Sequence, residues 1–123
     1  LTHSLAHCIG AKYKIHHGTL CGLFLPHVMR FNQEQCAEEL SLVAEAMGVD
    51  VSGKTKAQAA AAAEDAVEDL MKRIGMPLKL RDLGIAEAEI PMIALDAMTE
   101  IPTLANPRKC TVELIDGVIR QAF

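Results

Sequence analysis

The 123-residue sequence contains no tryptophan, one tyrosine and three phenylalanines, so aromatics make up 3% of a chain that is 50% hydrophobic. A core without large rings must be built from Leu, Ile, Val, Ala and Met. The same lack, with a net charge of −4, argues against nucleic acid, whose binding wants a basic face and aromatic stacking platforms. Long hydrophobic runs are also missing. The longest, Thr19 to Met29, is interrupted by Pro26 and His27 and is too short for a membrane span. The N-terminus lacks the basic start and apolar stretch of a secretory signal, so a cytoplasmic setting is expected, with no membrane partner. No C-x-x-C pair occurs. The four cysteines, Cys8, Cys21, Cys36 and Cys110, are scattered, and read as free thiols acting as small buried hydrophobes, not nucleophiles.

Period-two alternation is absent as well, which excludes a sheet and leaves an all-α fold, a compact bundle of helices in one domain. Leu1 to about Tyr13 reads as a helix with Gly10 a weak point, and His16-His17-Gly18 as a bend. From Thr19 the segment TLCGLFLPHVMRFN is apolar nearly all round and is expected to be central and buried, with Pro26 kinking it or starting a new segment. A third helix is expected over Gln33 to Met47, with Cys36, Leu40, Val43 and Met47 on one stripe and Gly48 as its C-terminal cap. Thr55 followed by Gln58 is a capping-box pattern opening a fourth. Its inward stripe is Ala60, Ala63, Val67, Leu70, Met71 and Ile74, closed by Gly75 and Pro77. PLKLRDLGI reads as a turn with apolar anchors. A fifth helix is expected over about Glu87 to Thr99 and a last one over Thr111 to Phe123.

Against this background the histidines stand out. Four of the five (His3, His7, His16 and His17) fall within the first seventeen residues, and only His27 lies beyond them. Histidine is the commonest metal ligand and the usual proton carrier near neutral pH. His3 and His7 lie four apart, on one helix face. Both can bind one ion, or one can bind while the other reaches the reacting group. Catalytic zinc or ferrous sites take three or four protein ligands and usually include a carboxylate. No acidic residue precedes Glu34. The missing ligands are therefore expected from elsewhere. With a start at Leu1 inside a helix and no initiator Met, the chain reads as a fragment.

The stretch HSLAHCIGAKYKIHHGTLCGLFLPHVMRFN resembles the metal-site segment of the iron-containing (group III) alcohol dehydrogenases. That pattern is a His, three residues, a second His, a Gly three further on, then His-Gly and a Leu-Pro-His-Val-x-Arg-Phe-Asn helix. MTEIPTLANPRKCTVELIDGVIRQAF is similar to the family's C-terminal ending, where Asn-Pro-Arg precedes a final helix. The resemblance runs from Leu1 to Phe123; the opening segment is its specific part and the middle is compatible with it.

The resemblance implies that residues 1–123 belong to the C-terminal all-helical metal-binding domain, and that the α/β domain binding NAD or NADP lies outside this chain. It implies that His3 and His17 are ligands of Fe2+, with Zn2+ the alternative. His7 then matches a proton-handling histidine beside the nicotinamide, catalytic and cofactor-contacting but not a metal ligand. The implied reaction is hydride transfer between a small alcohol and its aldehyde or ketone, in an enzyme expected to be a homo-oligomer. This segment alone, without a Gly-rich phosphate loop, is expected to be catalytically silent. His16 stands where many relatives have Pro, so it either competes with His17 for the metal or stacks outside. Pro102 stands where relatives often have a pocket Cys, leaving substrate preference open. His27 is expected as a hydrogen-bonded core histidine and Arg108 as the partner of a nearby carboxylate, with Leu20 and Phe24 as packing. Two other classes compete: a free-standing helical module chelating zinc through His3, His7 and His17, and an interaction domain whose histidines are incidental.

Overall fold

In the computed structural model, which describes residues 1–123, seven α-helices and no strand make up the chain. They are α1 (Thr2–Tyr13), α2 (His17–Asn32), α3 (Ala37–Ala46), α4 (Lys56–Arg73), α5 (Ile90–Thr99), α6 (Ile101–Leu104) and α7 (Val112–Gln121), with two short 3-10 turns at Leu80–Leu83 and Glu87–Glu89. The all-helical expectation holds. No helix is long and apolar enough to cross a membrane.

The apolar helix α2 is the hub. Its residues Leu20, Leu23, Phe24, Val28 and Phe31 enter the larger core with Leu5 and Ile9 of α1, Ile90 and Ile93 of α5, and Ile115 and Ile119 of α7. Leu20 and Phe24 are fully buried, as their packing role requires. On its other side Met29 joins a smaller core with Leu40 and Ala44 of α3 and Ala60, Ala63, Val67 and Met71 of α4. Pro26 lies inside α2 and does not divide it. At Gly22 the methionine Met71 crosses so closely that an added Cβ would overlap its Cε, which lets α4 approach the hub.

Several local expectations are corrected. The bend before α2 is Lys14 to His16, not His16 to Gly18. Lys14 takes the left-handed conformation (φ 56°) and ends α1, and His17 already lies in the first helical turn. The third helix starts at Ala37, because Gln33–Cys36 form a turn whose amides at Gln35 and Cys36 donate to the Asn32 carbonyl. Its inward positions are Leu40 and Ala44, while Val43 is 37% exposed. Leu70 and Ile74 likewise face out, at 38% and 62%, and Ala59 and Glu64 take inward positions on α4. Arg108 meets no carboxylate: its Nη1 donates to the Phe31 carbonyl at 3.1 Å and its guanidinium lies 4.6 Å over the Phe31 ring. It thus supplies a donor and a positive charge to the C-terminal end of α2, where carbonyls run out of helical partners.

Candidate metal centre

Helices α1 and α2 are joined by the tight Lys14–His16 connection and pack against each other, and this brings their histidines together. His3 Nδ1 and His17 Nε2 are 3.2 Å apart, and their rings stack nearly parallel at 5° with centroids 5.3 Å apart. His7, one turn along α1, stacks on the same group, 5.2 Å from the His17 ring and 6.2 Å from the His3 ring. His3, His7 and His17 are all exposed.

Hydrogen bonds anchor α1 and hold the His7 and His16 rings. Ser4, buried beside His3, lies 2.8 Å from Thr103 Oγ1, which also reaches the Ala97 carbonyl at 2.6 Å. This ties α1 to the α5–α6 corner. His7 Nδ1 lies 3.0 Å from Glu100 Oε2. Because a carboxylate only accepts, that nitrogen carries the hydrogen, and His7 Nε2 is left with the lone pair. Glu100 sits where α5 ends and α6 begins. His16 is diverted: as N-cap of α2 its Nδ1 accepts from the Gly18 amide at 3.2 Å. A Cβ at Gly18 would press on that ring at 3.2 Å. Capping was neither of the two outcomes expected for His16.

Cys21, one turn beyond His17 on α2, points its Sγ into the same space, 3.2 Å from His17 Nε2 and 3.5 Å from His3 Nδ1. His3, His17 and Cys21 offer ligand atoms that all lie within 4.8 Å of one another. Burial raises the Cys21 thiol above its ordinary range. The Cys8 thiol is pushed up to about 11 by burial, then by Glu100 and Asp96, which fits the expectation of an unreactive cysteine. No disulfide forms. The donor set suits a divalent transition metal: two imidazole nitrogens 3.2 Å apart are close to the edge of about 3.4 Å that a tetrahedral zinc-type ion with nitrogens near 2.1 Å demands. Beside it runs a cleft of about 510 Å³ lined by His3, Cys21, Leu25, Met29, Asn32 and Cys36 among others.

The structure brings His3, His7 and His17 together and leaves His27 apart. Sequence reasoning missed Glu100 and Cys21. Glu100 lies 93 residues from His7 and left no local signal. Cys21 did leave one, its i+4 spacing from His17 on a single helix.

The pattern defining the "Fe-containing alcohol dehydrogenase family, C-terminal" matches residues 1–123. The chain belongs to this family. Within it, the chain is 40% identical over 123 residues to the lactaldehyde reductase of Escherichia coli (strain K12), covering 100% of this chain and 32% of the relative. To the 1,3-propanediol dehydrogenase of Klebsiella pneumoniae it is 38% identical over 121 residues, covering 98% of this chain and 31% of the relative. A crystal structure of 1,3-propanediol oxidoreductase superposes with a TM-score of 0.97 at 37% identity, covering 99% of this chain and 32% of that one. The chain therefore spans about a third of the length of the relatives it matches. In these family members the matched part is the helical C-terminal region, as the fold here leads one to expect.

Proposed function

We propose that this chain supplies the metal-holding side of a NAD(P)-dependent alcohol dehydrogenase that interconverts small alcohols with their aldehydes or ketones. The observation that carries the reading is the meeting of three imidazoles from α1 and α2 with a carboxylate from the α5–α6 corner. Lactaldehyde reductase and 1,3-propanediol dehydrogenase, by their names, act on molecules of this class. In this proposal residues 1–123 are the C-terminal helical domain, the nicotinamide-binding α/β domain lies in the part of the relatives this chain does not match, and the whole enzyme is a cytoplasmic homo-oligomer.

His3 and His17 hold the divalent ion, Fe2+ by family likeness and Zn2+ as the alternative. When bound, the ion supplies Lewis acidity at the substrate oxygen and the nicotinamide supplies the hydride chemistry. His7 does the proton work. Glu100 keeps the hydrogen on His7 Nδ1, so Nε2 accepts the alcohol proton in oxidation and returns it in reduction. The carboxylate also orients the ring, as outer carboxylates do for imidazoles at metal sites. Ile101 and Leu104 are 81% and 77% exposed on the helix that Glu100 caps.

The test separates ligands from proton carrier in the complete enzyme. His3→Ala and His17→Ala should lose metal and activity together. His7→Ala should keep its metal, lower turnover by roughly 10²-fold and alter the pH–rate profile. Metal analysis of the purified variants decides: a metal-free His7→Ala beside a metal-replete His3→Ala would reverse the assignment.

A further inference from the structure

Cys21 is the part of the histidine cluster that the proposed mechanism leaves idle. Its Sγ has two polar neighbours, and both are the imidazole nitrogens assigned to the metal. A thiol carries one hydrogen and its sulfur is a weak acceptor, so it meets the two nitrogens only through weak sulfur hydrogen bonds. A shared cation resolves this arrangement, since all three atoms can then point lone pairs at one centre. The three separations are 3.2, 3.2 and 3.5 Å. A tetrahedral ion with nitrogens near 2.1 Å and sulfur near 2.3 Å would need edges of about 3.4 Å between nitrogens and about 3.6 Å from nitrogen to sulfur. The triangle is already closed to within a few tenths of an ångström of that size. His17 and Cys21 keep their register through α2 itself, four residues apart on one face, while His3 arrives from α1.

We propose that Cys21 is a third protein donor at this centre, a thiolate that with His3 and His17 forms a cradle favouring a zinc-type ion over iron. The proposal rests on the reading of His3 and His17 as metal ligands and extends it. On binding, the Cys21 S–H bond breaks, its proton leaves to solvent and the metal–sulfur bond forms, so uptake of the ion releases one proton from this residue. Sulfur selects borderline and soft cations, and against ferrous iron that favours zinc. His7 takes no part, because only His3, His17 and Cys21 bring ligand atoms within 4.8 Å of one another.

Cobalt(II) is the probe, as a spectroscopically visible stand-in for zinc. The purified protein titrated with cobalt chloride should develop a sulfur-to-metal charge-transfer band in the near ultraviolet together with weaker visible ligand-field bands. Cys21→Ser should lose the first and keep the second, and should bind zinc at least roughly 10-fold more weakly, the scale at which even outer partners of a metal site matter. Cys8→Ser and Cys36→Ser should keep both bands. Should Cys21→Ser fail to fold, by its far-ultraviolet circular dichroism, alkylation of the wild type serves instead. Zinc should then protect Cys21 selectively among the four cysteines, as mapped by mass spectrometry. Ligand-field bands without a sulfur band, or a sulfur band that survives Cys21→Ser, overturns the proposal and leaves the histidine site intact. No cobalt bound at all overturns both.

Discussion

His27 sits on α2 with its Nδ1 buried and without a hydrogen-bond partner, not paired in the core as its position suggested. Burial, then the charges of Arg30 and Lys79, lower its pKa from 6.5 to about 4, with Glu68 pulling weakly the other way. A histidine held neutral in the folded state and free to charge in the unfolded one favours unfolding as pH falls. The stability it permits is complete above pH 6.5 and is lost progressively as pH drops toward about 4. Allowing for the solvent that reaches the half-buried ring, the loss between pH 7 and pH 5 should be about 1 kcal/mol. Glu64 acts with the opposite sign: its buried carboxyl is raised by desolvation, so protonating it favours the folded state. The contribution of His27 is therefore read as a difference. Urea midpoints at pH 7 and pH 5 should diverge more for wild type than for His27→Gln, and parallel behaviour would refute the assignment. At this scale the catalytic candidates His3, His7 and His17 were legible because they are close in sequence and of a distinctive type. Glu100 was not, because its link to His7 is made by folding.

Helix α4 shows what an element owes to its own residues. Thr55 Oγ1 accepts from the Gln58 amide at 3.2 Å, and the Gln58 side chain accepts from the Thr55 amide at 2.9 Å, so two amides that helix geometry leaves free are satisfied at once. Thr55→Ala should cost on the order of 1 kcal/mol in chemical denaturation while Thr55→Ser costs little. Equal losses in the two variants would mean the cap is not what matters. The capping box, the closing Gly75 (φ 71°) and the 3.6-residue stripe were all visible in sequence, because they are interactions between near neighbours. Which of the stripe residues lie inward was less so. Leu70 and Ile74 face out, and Glu64 faces in to meet Arg30 at 3.2 Å. The crossing of α4 over α2 chooses the buried face, and periodicity only says that a face exists. The break that creates α6 passed unnoticed for a similar reason. Thr103 in it is anchored by the Ala97 carbonyl and by Ser4 of a distant helix.

Across the whole molecule, the Asn-Pro-Arg segment works as a latch. Asn106 and Asn32 exchange two amide hydrogen bonds at 2.7 and 3.0 Å across 74 residues, and Arg108 holds the end of α2. Asn106→Ala leaves the nearly buried Asn32 amide without its partner and should cost roughly 1–3 kcal/mol. The double variant with Asn32→Ala should lose clearly less than the sum of the two single losses, and strict additivity in thermal or urea unfolding would show that the pair is not a unit. The division between chain and fold follows from range. By itself the sequence determined the helical class, the mainly aliphatic core (though Phe24 and Phe31 also enter it), the caps and the identity of the histidine-bearing segment, because each depends on residues within a few turns of one another. Only the tertiary structure decided that Glu100 orients His7, that Cys21 joins His3 and His17, that His16 caps a helix, and that Asn32 meets Asn106. Those contacts depend on where α1 crosses α2 and where the α5–α6 corner comes to rest. Crossing positions are set by the summed packing of the apolar faces, and no local stretch of the chain encodes them.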